Sequence, residues 1–121
     1  RGELVSVSEV EALIADLDEV REVVVFAVPS EMGEDDIMAV LTLHPPSTLM
    51  PQDVVDHCAN ELAAFKVPLY VRVVDDMPRS ATKQEIERFR LVDLPRGEPL
   101  RATKPRVAVS NPNAQTQRDD A

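Results

Sequence analysis

The chain carries few side chains that could bind a metal ion or act as a nucleophile. His44, His57 and Cys58 are its only histidines and its only cysteine. On a helix the adjacent His57 and Cys58 would point about 100° apart, so one ion could not easily use both. Cys58 has the spacing of a small buried apolar residue. We therefore expect neither a metal site nor a cysteine nucleophile, and a single cysteine excludes an internal disulfide.

A second group of polar side chains surrounds Gly33 and consists of Glu31, Glu34, Asp35 and Asp36. Their spacing matches no calcium-binding loop. A charged tip between two strands is usually solvated, and glycine there allows a positive φ. The sequence also lacks the glycine-rich phosphate-binding loops and the nucleophile elbow of hydrolases. By itself the chain therefore offers no phosphate cradle.

Charge and hydropathy exclude several kinds of partner. The 121 residues include 13 Lys and Arg against 22 Asp and Glu, a formal charge of −9. Such a surface repels nucleic acid phosphates. The longest apolar run, residues 23–28, is far shorter than the roughly 20 residues that cross a bilayer, and no secretion signal opens the sequence. We expect a cytoplasmic protein with no nucleic acid partner and no membrane span.

The apolar pattern of the first half predicts a helix followed by two strands. A short strand is expected over residues 4–6, and a Ser-x-x-Glu capping box then starts a helix. β-branched residues over 20–28 and 37–43 predict two strands, which the acidic turn joins into an antiparallel hairpin. The apolar positions of the helix fall on one stripe and are Val10, Leu13, Ile14 and Leu17.

The second half predicts a further helix, a strand and a last helix. Pro51 suits the first position of a helix. Residues 70–74 predict a third long strand, and Thr82 with Glu85 forms a capping box that starts a last helix running to about Leu91. The expected inward residues of the Pro51 helix are Val54, Val55, Cys58, Ala59 and Leu62.

These elements predict an α+β fold, with helices packed on a small mixed sheet. Their order is strand, helix, strand, strand, helix, strand, helix. Residues 93–121 are rich in proline and polar side chains, which favours a flexible tail that is dispensable for folding. The folded domain is therefore expected over residues 1–92.

Five short strings lie in order between residues 1 and 91. Residues 1–11 read RGELVSVSEVE and residues 28–34 read VPSEMGE. The other three are the helical segment at residues 51–58, which closes on His57-Cys58, FKVP at residues 65–68 and MPRSAT at residues 77–82. Together they resemble the C-terminal domain of the adenylate-forming (AMP-binding) superfamily. Within it, the acyl-CoA synthetases of the carnitine/crotonobetaine and fatty acid types are the most similar in character.

The resemblance implies the mobile C-terminal domain of an ATP-dependent acyl-CoA ligase. Such an enzyme activates a carboxylic acid to an acyl-adenylate and transfers the acyl group to coenzyme A. The resemblance also implies a large N-terminal adenylation domain as partner. That domain would bind most of the ATP with Mg²⁺ and most of the coenzyme A. The small domain would present one face for adenylation and the opposite face for thioester formation, and it would be inactive alone.

The resemblance further implies a catalytic lysine near residue 83. In the family, a lysine that ends the motif beginning at Pro78 stabilises charge on the carboxylate and α-phosphate. Counted without gaps, that position holds Gln84, and Lys83 lies one place early. The string that begins at Ile86 fits the family only with one inserted residue. Lys83 is therefore the catalytic candidate, with an exposed lysine in the first turn of a helix as the alternative.

Three more residues are candidates for binding coenzyme A. Gly2, beside Arg1, matches the segment that the family brings against the pantetheine channel, where a backbone without a side chain can approach a narrow ligand. Lys66 is a candidate cation near the phosphates of the coenzyme, or a solvated lysine before a turn.

A second interpretation is a non-catalytic, ferredoxin-like regulatory or interaction module. The order of strands and helices fits both interpretations. The five strings favour the ligase domain, whereas Gln84 at the ungapped lysine position favours the module.

Overall fold

A computed structural model describes residues 7–30 and 32–103. Helix α1 spans Val7–Ala15, strands β1 and β2 span Val20–Pro29 and Asp35–Leu43, helix α2 spans Pro51–Glu61, and strand β3 spans Tyr70–Val73. Two short 3₁₀ helices cover Ala64–Lys66 and Arg88–Asp93. The strand expected over residues 4–6 lies outside the described residues. Within them, no helix is long and apolar enough to cross a membrane.

The three strands form one mixed sheet in the order β1, β2, β3. The expected hairpin is confirmed, because β1 and β2 pair antiparallel, with Val25 opposite Ala39. β2 and β3 pair parallel, with Val40 opposite Arg72. Parallel neighbours need a crossover connection, which α2 supplies here. The expected α+β fold with a small mixed sheet is therefore confirmed.

One face of the sheet, the helix face, packs against α1 and α2. Val25, Leu41 and Val71 point to this face and are buried. The predicted stripe of α1 is confirmed, with Val10 and Ile14 fully buried. All five predicted inward residues of α2 are also buried. Side chains alternate between the two faces of a strand, so the intervening residues point the other way.

The other face, the loop face, is covered by residues 77–94. Its buried side chains include Val24 of β1 and Val40 of β2. Met77 and Leu91 cover them and are themselves buried. No α-helix forms this second layer, which consists of turns, an isolated bridge and a 3₁₀ helix.

The helix expected from Thr82 is wrong. Gln84 adopts a φ of 59°, in the left-handed region, so an α-helix cannot run through it. Ser80 donates its backbone N–H to the Glu85 carbonyl at 2.9 Å, which closes a turn where the helix was expected to begin. Helical structure starts only at Arg88, as a 3₁₀ helix. The capping box was a local signal, and the pairing across the turn prevailed over it.

Residues 94–103, which we call the strap, pass from the loop face to the helix face beside β3. Leu94 packs against the loop-face core and Leu100 against the helix-face core. The Leu100 N–H donates to the Leu69 carbonyl at 2.7 Å. Thr103 then donates its backbone N–H and its hydroxyl to the Asp56 carboxylate of α2, at 2.8 and 2.7 Å.

The strap belongs to the segment for which a flexible tail was expected. The apolar contacts of Leu94 and Leu100, and the hydrogen bonds of Leu100 and Thr103, compensate for its polar composition. The boundary at residue 92 remains a prediction, and residues 104–121 lie outside the described part of the chain.

The β1 edge of the sheet is also occupied. The Glu11 carboxylate of α1 accepts the backbone N–H of Val25 at 2.8 Å. The same carboxylate oxygen lies 3.2 Å from the guanidinium of Arg88. One acid on α1 thus contacts both the edge strand and the layer on the loop face.

Candidate functional site

Lys83 lies in a tight turn that projects from the second layer. This Lys83 turn, residues 80–85, closes a short antiparallel pairing of Arg79 with Ile86. The Ser80 hydroxyl accepts the backbone N–H of Lys83 at 3.2 Å. The base of the turn is therefore held by backbone pairing and its interior by one serine.

The Lys83 ammonium is available to a partner outside the domain. Its side chain is exposed, and it makes no hydrogen bond or ion pair with another described residue. Gln84, which follows it at the tip, carries a neutral amide. Of the two residues that the sequence leaves open, only Lys83 can supply a positive charge.

Arg79 fastens the Lys83 turn to the sheet. One terminal guanidinium nitrogen, Nη1, donates to the Gln84 carbonyl at 3.2 Å. The other, Nη2, pairs with the Glu22 carboxylate of β1. The hydroxyl of Thr42 donates to the second oxygen of that carboxylate at 3.2 Å. A continuous polar path thus runs from the centre of the sheet to the turn.

The hydrogen bond from Arg79 also favours the charged forms of this pair. It lowers the pKa of Glu22, against the opposing effect of partial burial, and Thr42 lowers it further. The same hydrogen bond raises the pKa of Arg79. Both groups are therefore charged at neutral pH.

Two more charged side chains surround the pair. Asp76 lies 3.8 Å from Nε of Arg79. Arg21 lies 3.9 Å from Glu22 and 4.0 Å from Asp76. The Arg79 guanidinium thus contacts two acids, Glu22 and Asp76.

The alternation of β1 and β2 explains why Glu22 and Thr42 lie together. They are cross-strand partners, and both point to the loop face beyond its apolar core. Thr42 is fully buried, and Glu22 is about three quarters buried. Sequence reasoning missed both residues. The signal that could have found them is a pair of polar residues in phase with the apolar residues of two neighbouring strands.

Lys66 lies in the other layer of the molecule. Its ammonium is 2.9 Å from a carboxylate oxygen of Glu9 on α1, and 5.8 Å from the centre of the Phe65 ring. The structure does not bring Lys66 together with the Lys83 turn, because the two are attached to opposite faces of the sheet. Arg1 and Gly2 lie outside the described residues.

A groove of about 610 Å³ lies beside residues 64–69, the part of the chain that contains Lys66. Its lining residues include Phe65 and Pro68, Asp36 of β2, and Leu100 and Arg101 of the strap. Its walls are thus partly apolar and carry charges of both signs.

The histidine and the cysteine of α2 have structural surroundings. His57 Nε2 lies 3.1 Å from the Leu13 carbonyl of α1 and so links the two helices. Cys58 is fully buried, and burial raises the pKa of its thiol to about 12. A thiol with so high a pKa is a poor nucleophile. In the described part of the chain, no three His, Cys, Asp or Glu side chains are placed to hold a metal ion.

The known proteins that resemble this chain in sequence and fold are larger enzymes, and the matching region is one part of each. The model of the AMP-binding enzyme C-terminal domain family matches residues 9–84. A crotonobetaine/carnitine–CoA ligase of Salmonella arizonae is 32% identical over 87 residues, which cover 72% of this chain and 17% of the ligase. An oxalate–CoA ligase of Arabidopsis thaliana is 33% identical over 81 residues, covering 67% of this chain and 16% of that protein.

A solved structure agrees with these sequence matches. The ATP-bound crystal structure of MatB from Rhodopseudomonas palustris superposes with a TM-score of 0.64 and 30% identity, over 69% of this chain and 16% of MatB. The chain thus spans about a sixth of the length of each of these proteins. From the family match, these relatives and the common fold, we conclude that the chain belongs to the AMP-binding enzyme C-terminal domain family.

Proposed function

We propose that this chain is the C-terminal domain of an ATP-dependent acyl-CoA ligase. The ligase would activate a carboxylic acid as an acyl-adenylate and then transfer the acyl group to coenzyme A. The observation that carries the proposal is the exposed ammonium of Lys83 on a turn fastened to the sheet, within the stretch that the family model matches. The names of two relatives, which are CoA ligases, support the reaction class.

Lys83 would act in the first half-reaction. There the carboxylate of the substrate attacks the α-phosphorus of ATP, and pyrophosphate leaves. Negative charge accumulates on the α-phosphate oxygens as the new bond forms. A positioned ammonium lowers the energy of that arrangement. Lys83 makes no ion pair with another described residue, so its charge would not first have to be released.

The opposite face would serve the second half-reaction. In it, the thiol of coenzyme A attacks the acyl carbonyl, a thioester forms, and AMP leaves. We propose Lys66 as a cation near the phosphates of the coenzyme, and Gly2 and Arg1 as contacts along the pantetheine. Lys66 is held by Glu9 on the helix face, whereas the Lys83 turn is held on the loop face. This separation is consistent with a domain that uses its two sides in turn.

The remaining parts of the active site are assigned to a large N-terminal domain. That domain would bind most of the ATP with Mg²⁺, the carboxylic acid and much of the coenzyme A. We propose a fatty acid or a carnitine- or crotonobetaine-like acid as substrate, and the cytoplasm as location. The strongly acidic composition argues against a nucleic acid partner.

The test is the substitution Lys83→Ala in the complete ligase, with the two half-reactions measured separately. Adenylation, followed by pyrophosphate exchange into ATP, should slow by a factor on the order of 100 to 1,000. Thioester formation from presynthesised acyl-adenylate should be retained. Thr82→Ala is the matched control, because Thr82 is exposed on the same turn and carries no charge. Unchanged exchange in Lys83→Ala would rule out the catalytic role.

A non-catalytic module is the second candidate, and Gln84 at the ungapped lysine position favours it. If the complete protein exchanges no pyrophosphate with any of a panel of carboxylic acids, and Gln84→Lys restores exchange, the module interpretation replaces the ligase.

A further inference from the structure

We propose that Glu22 and Arg79 position Lys83, with Glu22 acting through Arg79. The inference rests on the proposed role of Lys83 and adds the residues that place it. Neither side chain needs to touch substrate. They are therefore positioning residues, and their contribution lies in holding the Lys83 turn at one place relative to the sheet.

The first step of the argument is the way Arg79 reaches the turn. It donates to the backbone carbonyl of Gln84, the residue directly after Lys83. Gln84 has a φ of 59°, and a residue in this uncommon conformation is kept there by its surroundings. A bond to its carbonyl fixes the chain at the point where it reverses. Lys83 is then held between this contact and the Ser80 hydroxyl.

The second step is the rigidity of Glu22. It sits on β1 opposite Thr42, a fully buried residue of the central strand, and receives a hydrogen bond from the Thr42 hydroxyl at 3.2 Å. Strand pairing and the hydrogen bond from a buried hydroxyl restrain the position of this carboxylate relative to the sheet. It can therefore serve as a fixed anchor for a guanidinium.

The third step is the chemistry of arginine. Arg79 holds Glu22 through one terminal nitrogen and the Gln84 carbonyl through the other. A planar guanidinium presents these donors at a fixed separation. A lysine in its place has a single nitrogen and cannot hold both acceptors in the same geometry. The arrangement thus needs arginine rather than any positive charge.

The functional test uses Arg79→Lys and Glu22→Gln in the complete ligase. Both are close in size to the native residue, and glutamine keeps an acceptor for Thr42. Each should lower the kcat of adenylation by about 10- to 100-fold, the loss expected when a reacting group moves by about 1 Å. KM for ATP and the thioester half-reaction should change little. In a Lys83→Ala background the two substitutions should have almost no further effect, because the group that they position is gone.

The matched control is Arg90→Ala. Arg90 is an exposed arginine of the same layer, and its ion pair with Glu87 lies outside the Lys83 turn. It should leave both half-reactions unchanged. Equal losses in Arg90→Ala and Arg79→Lys would mean a general weakening of the layer, which would overturn the inference.

A second measurement needs no activity. Hydrogen exchange of the backbone amides of residues 82–85 should quicken in Arg79→Lys and Glu22→Gln of the 121-residue chain, while the amides of β2 keep their protection. Unchanged exchange in the turn overturns the inference, whatever the activity shows. Faster exchange combined with full adenylation in Lys83→Ala upholds the link between Glu22 and the turn but refutes the catalytic role of Lys83.

Discussion

At the scale of the residue, two neighbouring cations of the same motif have opposite surroundings. Arg79 contacts the carboxylates of Glu22 and Asp76 and bonds the turn. Lys83 lies four positions later, and its exposed ammonium makes no hydrogen bond or ion pair with another described residue. The first arrangement restrains a backbone, and the second leaves a charge available. Residue type alone would not have separated these roles, because either cation could have been the exposed one.

The Glu22 carboxylate predicts a dependence of stability on pH. Its hydrogen bond with Arg79 lowers its pKa in the folded state below the usual 4.5. When folding lowers the pKa of a carboxyl group, its ionised form stabilises the folded state at any pH above the pKa of the unfolded chain. This contribution is lost as the pH falls through the lower pKa of the folded state. Glu22→Gln should therefore melt at a lower temperature than the native chain at neutral pH. The difference should shrink once the pH falls below 4.5.

Thermal denaturation of both proteins across that pH range checks this prediction. Glu87→Gln is a suitable control, because its ion pair with Arg90 is exposed and its contribution should be small at every pH. A constant difference between the native chain and Glu22→Gln down to strongly acid pH would contradict it.

At the scale of the element, the sequence predicted correctly those helices and strands that depend on short-range patterns. The stripe of Val10 and Ile14, the hairpin and the helix that begins at Pro51 all follow from spacing and proline placement, and all are confirmed. The last helix was wrong because Thr82 and Glu85 form only a short-range signal. Pairing across residues 79–86 depends on the sheet beneath it, which no local window contains.

The strap was difficult to foresee for a related reason. Its composition is that of a tail, and the contacts that order it are made far along the chain. Leu100 donates to Leu69, and Thr103 donates to Asp56. The residues of the candidate site also differ in whether a local pattern reveals them. Lys83 could be found from a motif, whereas Glu22 could be found only once β1 and β2 were in register.

The contacts of the strap predict that shortening the chain has a sharp threshold. A chain ending at Thr103 should be as stable as the full chain. A chain ending at Leu94 loses the apolar contacts of Leu100 and the hydrogen bonds to α2, so its free energy of unfolding should fall by about 1–3 kcal/mol. Urea denaturation of the two shortened chains measures the difference. Equal midpoints would contradict this prediction and support the expectation that the folded domain ends at residue 92.

At the scale of the whole molecule, the two candidate cations belong to different sides of one sheet. Lys66 is attached to α1 on the helix face, and the Lys83 turn is attached to β1 through the loop face. The sheet between them is thin and buried on both sides. In the proposed ligase, reorienting the whole domain would exchange one cation for the other at the site on the N-terminal domain, without any change of fold.

If the chain is one domain of a larger ligase, the isolated chain should have no ligase activity. Its sequence contains no phosphate-binding loop, and in the proposed ligase the carboxylic acid and most of the ATP would bind to the N-terminal domain. The chain mixed with ATP, Mg²⁺, coenzyme A and a panel of fatty acids should release no pyrophosphate above a heat-denatured control. The result would be the opposite if pyrophosphate release followed the protein through purification and disappeared in Lys83→Ala. It would show that the chain does not need an N-terminal domain for adenylation.

Both outer strands of the small sheet are shielded by parts of the same chain. The Glu11 carboxylate accepts the outward N–H of Val25 on β1, and the strap runs beside β3, where the Arg72 guanidinium donates to the Pro95 carbonyl. An unshielded edge strand can add a strand from another molecule, which is a common start of aggregation. Loss of the strap would leave β3 open in this way. Shortened versions should therefore precipitate more readily at high concentration, by strand-to-strand growth, even under conditions in which each molecule remains folded.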